Sequence, residues 1–394
     1  DLPDGRPRDG GHGVLARLGA EAVDELDRRR GEHRFGDLGV PARSYTGSQA
    51  GVITTAAHGN AHIIDITRRI VSSPAGGNVV IVAGFQGVSQ TTKDVTTLGR
   101  GASDTTAVAL ASALGADFCE IYTDVDGIFT ADPRIVPKAH KIDRISHDEM
   151  LELAASGAKV LHLRCVEYAR RSNIPIHVRS SFSSKEGTWV LPPDAEGAED
   201  MEEPIIAGVA HDRSEAKITV VGVPDEPGRA GQIFTTVAEA QVNIDMIVQN
   251  VSEADTGRTD ISFTLPMTDG QSAVQALMGT KDEVGFSSIQ YDDQIGKLSL
   301  VGAGMRTNPG VSATLFRALA EAGINIEMIS TSEIRVSVVT RADQLAEALE
   351  AVHTALQLRT GGTELKAHLS RHHIIAQVID ARNTHVLERM LQAV

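Results

Sequence analysis

Cysteine is scarce in this chain, which has only Cys119 and Cys165 among its 394 residues. Both lie in apolar surroundings, and neither has a partner at the spacing of a metal-ligand set. Small secreted domains that depend on disulfides carry far more cysteine. The sequence therefore predicts two buried free thiols in a protein of a reducing compartment.

Positive charge is also in short supply. The 37 lysines and arginines are outnumbered by 52 aspartates and glutamates, which gives a formal net charge of −15. A protein that binds nucleic acid neutralises its phosphates with a basic face. This balance argues against nucleic acid as a partner, although a nucleotide needs only a few local cations.

Long apolar runs are missing as well. No stretch approaches the roughly 18 residues that cross a bilayer, and no basic segment followed by an apolar one resembles a secretion signal. The sequence therefore predicts a cytoplasmic protein with no membrane partner. Its 394 residues are too many for one hydrophobic core and favour about two to three domains.

An internal repeat is the most informative feature that is present. Pro-Gly pairs at 227–228 and 309–310 and Asn-Ile pairs at 243–244 and 325–326 are separated by one common offset. A chance match would not keep one offset across two motifs, so the pattern indicates a duplication. Each copy predicts strand, helix, strand, strand and helix with room for a last strand, the split βαβ pattern of a ferredoxin-like unit.

Upstream of the repeat, buried strands alternate with helices, which is typical of an α/β domain with a largely parallel sheet. The predicted strands cover residues 79–83, 118–122 and 176–179, and the predicted helices cover 105–114 and 146–155.

A glycine-rich turn before the first of these helices predicts an anion site. Residues 97–106 place two glycines and Arg100 ahead of a Ser/Asp/Thr cluster. Backbone N–H groups and the positive helix end attract an anion, and Arg100 can clamp a carboxylate or phosphate. An ordinary turn with a capped helix is the alternative, which the arginine makes less favourable.

A second polar segment, residues 122–134, directly follows a predicted strand. Its side chains therefore lie at the carboxyl edge of the sheet, where ligands of open α/β sheets bind. Asp124, Asp126 and Asp132 are reminiscent of a calcium loop, but the closing glutamate of an EF-hand is absent. A loop at the edge of a nucleotide is the better interpretation. Lys159, which we expect to open another helix, can reach a phosphate, although alone it is typical of a solvated surface lysine.

These segments belong to an ordered set of motifs that resembles the aspartate kinases of the actinobacterial type, members of the amino acid kinase family with tandem C-terminal ACT domains. The resemblance covers about residues 38–67, 78–190 and 205–358. Its motifs are 44–51, 82–87, 96–106, 124–127, 130–134 and 150–154.

The resemblance implies a fold and a domain plan. The fold is α/β, with a three-layer αβα sandwich around a mostly parallel sheet, followed by two ferredoxin-like (βαββαβ) ACT domains. The plan comprises a divergent or disordered start (1–37), an incomplete amino acid kinase domain (38–193), an acidic linker (194–204), two ACT domains (205–296 and 297–360) and a divergent end (361–394).

The resemblance also implies a reaction: transfer of the γ-phosphoryl group of ATP to the β-carboxylate of L-aspartate, the first step towards lysine, threonine and methionine. A carboxylate is already ionised at pH 7 and needs no activating base. The barrier is the repulsion of two anions, so the site must supply positioning and positive charge. The lack of a Ser-His or Cys-His arrangement fits this chemistry, which also implies Mg²⁺.

Site residues follow from the matching motifs. Arg100, Gly101 and Ser103 would bind aspartate, together with Glu32 in a possible Gly-Glu pair. Asp104 would be the catalytic aspartate that orients the reactants, assisted by Arg100. The ATP contacts implied are Thr123, Asp124, Phe129, Arg134 and Lys159.

The ACT pair would hold an inhibitor, which is lysine, threonine or both. A Pro-Gly turn that opens a helix presents N–H groups to an α-carboxylate. We expect a homo-oligomer formed through these domains, or a hetero-oligomer with a second aspartokinase chain; two units used only for dimerisation are the alternative. The implied effector residues are Asp225, Gly228, Ala230, Gln249, Ser312, Asn325, Ile326, Ser332 and Glu333.

Several positions depart from the family pattern. The N-terminal lysine followed by paired glycines and serines has no counterpart in residues 1–37, which begin with Asp1 and hint at a helix only at 21–26. Its loss favours an alternative: a catalytically impaired, amino-acid-sensing regulatory subunit or truncated gene product. Ala102 replaces a glycine where bulk or a positive φ would be costly, and Arg229 replaces a glutamate.

The end of the chain, 361–394, also lacks the family pattern. Its four histidines could suggest a metal, but a solvated helix is the favoured interpretation; they are His368, His372, His373 and His385.

Overall fold

The computed structural model describes most of the chain in several stretches. These are residues 15–18, 35–37, 39–67, 79–99, 101–192, 206–250, 257–306, 308, 310–356, 358 and 375–378.

The first part of the chain forms an α/β domain with eleven of the described strands. They are β1 (Leu15–Leu18), β2 (Ala42–Tyr45), β3 (Val52–Thr54), β4 (Ile63–Ile66), β5 (Val79–Val82), β6 (Gln86–Ser89), β7 (Val95–Thr97), β8 (Cys119–Thr123), β9 (Arg144–Ser146), β10 (Ile176–Ser180) and β11 (Thr188–Leu191). Its helices are α1 (Ser103–Leu114), α2 (His147–Ala155) and α3 (Leu163–Ser172).

The second part contains the duplicated units. Its elements are β12 (Gly208–Asp212), β13 (Glu215–Pro224), α4 (Arg229–Glu239), β14 (Ile247–Gln249), β15 (Arg258–Pro266), α5 (Gly270–Gly279), α6 (Lys281–Val284), β16 (Ser288–Asp292), β17 (Ile295–Val301), α7 (Gly310–Glu321), β18 (Met328–Thr331), β19 (Arg335–Arg341) and α8 (Leu345–Ala355); strand β20 (Ile375–Val378) comes last.

The large sheet has the order β2-β5-β1-β20-β8-β10-β11-β9, and among its described pairs only β10–β11 is antiparallel. A smaller sheet has the order β4-β3-β6-β7. Helix α1 packs on the centre of the large sheet and α3 packs on α1. This confirms the predicted α/β fold with a mostly parallel sheet. The thiols of Cys119 and Cys165 lie fully buried in its core, as predicted.

The two ends of the chain supply the middle of this sheet, which the sequence did not predict. Strand β1 pairs with β5 and β20, and β20 also pairs with β8. Strand β5 is buried along its whole length, so an open edge beside it would leave buried N–H and C=O groups without partners. The solvated helix expected for 361–394 is therefore wrong at residues 375–378. The four histidines and the helix hinted at 21–26 lie outside the described residues.

The duplicated units confirm the ferredoxin-like prediction. The first has the sheet order β14-β15-β13-β16, in which β16 is the last strand that the sequence left open. The second has the order β12-β17-β19-β18. Its outer strand β12 precedes the first unit in sequence and lies in the range 205–296 expected for that unit. It pairs antiparallel with β17 because β17, with all seven residues buried, needs partners on both edges.

Reciprocal ion pairs join the two units. Lys217 of β13 pairs with Glu327, while Nζ of Lys297 in β17 lies 2.6 Å from Oδ2 of Asp245 and also pairs with Glu215. Asp245 and Glu327 are the acids of the two repeated Asn-Ile-acid-Met motifs. Each unit thus binds the motif of the other through a strand lysine.

Within the part of the chain that the model describes, we find no helix with the length and apolar character that crossing a bilayer requires.

The connection between α2 and α3 packs tightly against the second unit. Gly157 in this connection has φ +108, and a Cβ there would stand 2.2 Å from the carbonyl oxygen of His211 in β12. We expect Gly157→Ala to destabilise the chain by about 2 kcal/mol, because both backbone strain and a backbone clash result.

The measurement is a urea unfolding curve followed by the fluorescence of Trp189, the single tryptophan of the chain. Gly231→Ala is the matched control, since this glycine lies inside α4 with open space around it. The control should stabilise α4 by roughly 0.5 to 1 kcal/mol. An unfolding midpoint for Gly157→Ala at or above that of the unaltered chain would contradict the prediction.

Candidate active site

The predicted anion turn leads directly into α1. Gly99 and Gly101 have φ values of +99 and +76, so the turn uses the conformations that glycine permits. Ala102 occupies the N-cap position and has no side-chain oxygen to cap the helix. The N–H groups of the first turn therefore suit an anion. Arg100 and Glu32 lie outside the described residues, and their roles stay predictions.

Ala102 is better tolerated than the sequence suggested. Its φ is −82, an ordinary value for any residue, and its side chain is fully buried. It packs with Ala61 and Leu98 in a small apolar cluster. The prediction that alanine at position 102 would strain the turn is therefore wrong, since its methyl group fills space that the fold leaves for it.

Two hydrogen bonds place this turn at the carboxyl end of β5. The N–H of Phe85, three residues beyond β5, donates to Oγ1 of Thr106 over 3.0 Å. The N–H of Leu98 donates to the carbonyl of Phe85 over 2.8 Å. The guanidinium of Arg164 donates to the carbonyls of Leu98 and Ala61 over 2.9 and 2.8 Å. A charged group from α3 thus fixes the path of the turn.

A cleft of about 660 Å³ opens beside the first turn of α1. Thr105 of α1 and Arg164, Arg170 and Arg171 of α3 are among its lining residues. A helix with three arginines, α3, therefore flanks the site. The sequence analysis did not predict a role for this helix.

Asp104 is the central carboxylate of the candidate site. Its Oδ2 accepts a hydrogen bond from the N–H of His162 over 3.3 Å. Burial raises the pKa of this carboxyl to about 6, and backbone hydrogen bonds only partly oppose the rise. Buried carboxyls with a raised pKa cluster at functional sites, which makes Asp104 a candidate functional residue.

His162 is a site residue that sequence reasoning missed. It occupies the N-cap position of α3, at the end of the connection that carries Lys159, and a Cβ on Gly101 would lie 3.6 Å from its ring. Burial and the neighbouring Arg164 lower its pKa. No pattern in the sequence relates it to Asp104, since 58 positions separate the two.

Lys159 is exposed and lies in this same connection, because α3 begins only at Leu163. The expectation that Lys159 opens a helix is therefore wrong. Gly157, with its left-handed backbone, belongs to a turn that delays the helix.

The loop after β8 carries the remaining candidates for ATP contacts. Thr123 ends β8, and its hydroxyl donates to Oδ1 of the exposed Asp124 over 3.1 Å. Phe129 is half-buried. The guanidinium of Arg134 is exposed and donates to the carboxylate of Asp132, through Nη2 at 2.7 Å and through Nε at 3.0 and 3.2 Å.

The three aspartates of this loop do not converge. Asp126 is bound by Ser183 and Lys185, each at 2.6 Å, and Asp132 is bound by Arg134. Among the described residues there is no group of three or more acidic, histidine or cysteine side chains with the arrangement of a metal site. The loop thus offers no support for a calcium site.

The predicted effector residues fall into two groups. Those of the first unit flank the turn from β13 to α4 and the end of β14: Asp225, Gly228, Ala230 and Gln249. Those of the second unit lie on the first turn of α7, before β18 and in the β18–β19 turn: Ser312, Asn325, Ile326, Ser332 and Glu333.

Strands β14 and β18 lie against each other, so the two units meet beside Gln249 and close in sequence to Asn325 and Ile326. Gly228 has φ +96 and open space around it, as expected of a turn that presents N–H groups to a ligand. Arg229, the residue that departs from the family, pairs with Glu226 at 2.8 Å and donates to the carbonyl of Glu283. The guanidinium of Arg229 therefore stabilises the turn between β13 and α4.

Known proteins resemble both parts of this chain. Residues 26–180 match the amino acid kinase family, and residues 218–279 and 298–356 match the ACT domain. The aspartokinase of Mycolicibacterium smegmatis is 63% identical over 324 residues, which cover 82% of this chain and 76% of that one. The aspartokinase of Corynebacterium glutamicum is 55% identical over 324 residues, with 82% and 76% covered.

Solved structures show the same fold. E. coli aspartokinase III in complex with aspartate and ADP has a TM-score of 0.70 at 27% identity, covering 82% of this chain and 71% of that one. The aspartate kinase of Clostridium acetobutylicum has a TM-score of 0.66 at 25% identity, covering 83% and 74%. The resemblance stated from the sequence is thereby confirmed, and this chain belongs to the aspartokinases, the aspartate kinases of the amino acid kinase family that carry ACT domains.

Proposed function

We propose that this chain transfers the γ-phosphoryl group of ATP to the β-carboxylate of L-aspartate, and that lysine, threonine or both regulate it through the ACT units. The observation that carries the proposal is the uncapped start of α1. Its N–H groups and Gly101 stand beside the Asp104 carboxylate at the carboxyl end of β5. This arrangement suits a small dicarboxylate substrate, which needs positive potential and fixed orientation.

The residues divide into two roles. Gly101, Ser103, Arg100 and Glu32 bind aspartate, and Asp104 orients the reacting groups. The phosphates and base of ATP lie along the edge formed by Thr123, Asp124, Phe129, Arg134 and Lys159.

Magnesium fits this donor set. Mg²⁺ keeps several waters and takes one or two carboxylates together with the phosphates, so it does not require a protein cage. The carboxylate of Asp124, exposed at the end of β8, would hold the ion, which would neutralise charge on the phosphates.

Related proteins support the substrates and effectors. E. coli aspartokinase III has been solved with aspartate and ADP, and also with lysine and aspartate. The second of these structures has a TM-score of 0.62 to this chain. We infer that the junction of β14 and β18 holds the effector here, and that oligomers form through the ACT units.

A second candidate is an amino-acid-sensing chain with little catalytic activity. It is favoured by one observation: residues 1–37 contain no lysine at all, and hence no counterpart of the family's lysine-glycine-serine motif. In a chain that lacks this cation, the repulsion between ATP and aspartate would be poorly compensated.

A hydroxamate assay with ATP, Mg²⁺ and aspartate, together with calorimetry using lysine and threonine, separates the candidates. Steady formation of aspartyl phosphate would defeat the regulatory alternative. Binding of an amino acid effector without turnover would defeat the catalytic proposal. If neither signal appears, both proposals fail.

Ser103→Ala tests the aspartate site. Removal of a hydroxyl that hydrogen-bonds a carboxylate should raise the KM for aspartate about 10-fold and leave the KM for ATP nearly unchanged. Ser112→Ala is the matched control on the same helix, nine residues further on and away from the turn, and should change neither constant. Equal effects of the two variants on the KM for aspartate would remove Ser103 from the site.

A further inference from the structure

The loop after β8 belongs to two parts of the molecule at once. Phe129 and Arg134 are two of its proposed ATP contacts. Between and beyond them, Ala131 and Val136 are buried in the hydrophobic core of the second ACT unit. That core is formed by β17, β19, α7 and α8. The loop that would hold ATP is therefore packed into the regulatory part of the chain.

Thr130, next to Phe129, is the polar centre of this contact. Its carbonyl accepts from the N–H of Val209 in β12 over 2.7 Å. Its N–H donates to the carbonyl of His140 over 2.9 Å, and its Oγ1 accepts from the N–H of His140 over 3.0 Å. The same Oγ1 lies 3.0 Å from Nε2 of His353 in α8.

The last hydrogen bond can run from Thr130 to His353. A threonine hydroxyl carries one donor hydrogen and two acceptor lone pairs, so Oγ1 can accept from His140 and still donate to His353. His353 is 4% exposed and can accept at Nε2 when it is neutral with its proton on Nδ1. Burial, with a smaller effect of His140, lowers the pKa of His353, which keeps the ring neutral at pH 7.

We propose that His353 of the second ACT unit is a positioning residue for ATP: through the Thr130 hydroxyl it fixes the loop that carries Phe129 and Arg134. The inference rests on the proposed ATP contacts of this loop. It assigns to the ACT unit a direct part in building the nucleotide site. A change in the position of α8 would then alter ATP affinity without touching the aspartate turn.

The test is ATP binding by calorimetry with the full chain, together with aspartate binding as a second readout. Thr130→Val, which keeps the shape but loses the hydroxyl, and His353→Leu should each weaken ATP binding about 10-fold. Aspartate binding should change less than twofold. Thr130→Ser and His353→Gln, which keep a hydroxyl and an acceptor, should restore most of the ATP affinity. The double variant Thr130→Val/His353→Leu should bind ATP no more weakly than the weaker-binding of the two single variants.

The control is Glu152→Gln. Glu152 of α2 lies 3.1 Å from Nη1 of Arg335 in β19, so its loss loosens another contact between the kinase domain and the same ACT unit. If Glu152→Gln weakens ATP binding as much as Thr130→Val does, general loosening explains the effect and the inference is overturned. Equal losses of ATP and aspartate binding overturn it as well.

A failure of the proposed reaction can be distinguished from a failure of the inference about His353. Absent turnover with intact ATP binding would count against the proposed reaction alone. Absent ATP binding by the unaltered chain would overturn the inference together with the ATP contacts on which it rests.

Discussion

Replacement of Asp104 by asparagine should lower kcat for phosphoryl transfer about 100-fold, because the proposed site depends on orientation and a misplaced reactant costs roughly that factor. The change is nearly isosteric. The amide oxygen can still accept from the N–H of His162, so the connection between α2 and α3 should keep its position. The loss should therefore appear in kcat more than in the KM for ATP.

Stability should not fall in this variant. Since burial raises the pKa of Asp104 to about 6 from an ordinary 3.8, the folded chain holds a proton more tightly than the unfolded chain. Stability due to this group consequently decreases as the pH rises from about 4 to about 6 and stays lower above that range. The asparagine side chain of the variant does not ionise, so urea unfolding at pH 7 should show equal or greater stability.

The pH profile gives an independent check. If the ionised carboxylate is the active form, kcat/KM of the unaltered chain should rise with pH through a midpoint near 6 and then level off. The residual kcat/KM of Asp104→Asn should not show this rise with pH.

Asp148→Asn is the matched control for the Asp104 variant. Asp148 also lies in the first turn of a helix, but it forms an exposed ion pair with Arg170 at 2.6 Å. Exposed pairs contribute little, so the control should keep normal kcat and stability. Normal kcat in Asp104→Asn would remove this residue from the catalytic machinery.

Replacement of Lys297 by methionine should destabilise the ACT pair by about 3 kcal/mol, the range expected when one partner of a buried ion pair is removed. Its side chain is fully buried against Glu215 and Asp245. Burial lowers the pKa of Lys297, but the two carboxylates outweigh it and raise the pKa above the ordinary value. The lysine is charged throughout the neutral range, and its loss leaves two carboxylates close together.

Thermal unfolding measures the effect, with an expected fall in Tm of about 6 to 12 °C for a unit of this size. A second substitution, Glu215→Gln in the Lys297→Met background, should restore part of the loss, because one uncompensated charge is removed. A Tm within about 1 °C of that of the unaltered chain would show that the buried lysine is dispensable.

Lys217→Met is the matched control, at the equivalent strand position of the other unit. Lys217 is 19% exposed, and its partner Glu327 also lies 3.4 Å from Nη1 of Arg341. Glu327 therefore keeps a cation when Lys217 is lost, and a smaller destabilisation of about 1 kcal/mol is expected. The two lysines occupy the same position in the repeated sequence. A difference in destabilisation between the two variants would therefore come from the deeper burial of Lys297.

The local elements were largely determined by the sequence. Helix α1 and strand β8 lie within two residues of their predicted bounds because short-range periodicity and glycine turns specify them. The duplication was visible as a repeated Asn-Ile-acid-Met motif, and both copies adopt the ferredoxin-like order. The glycine turn that leads into α1 was likewise predictable, because its glycines and the helix start are adjacent in the chain.

Tertiary structure alone decided the contacts between distant segments. Strand β12 joins the second ACT unit, and residues 15–18 and 375–378 fill the centre of the large sheet, because buried strands require backbone partners wherever these occur in the sequence. The pairs Asp104–His162 and Thr130–His353 bring together residues 58 and 223 positions apart. No periodicity in the sequence encodes such pairs, since they depend on how finished elements pack and on which polar groups that packing buries.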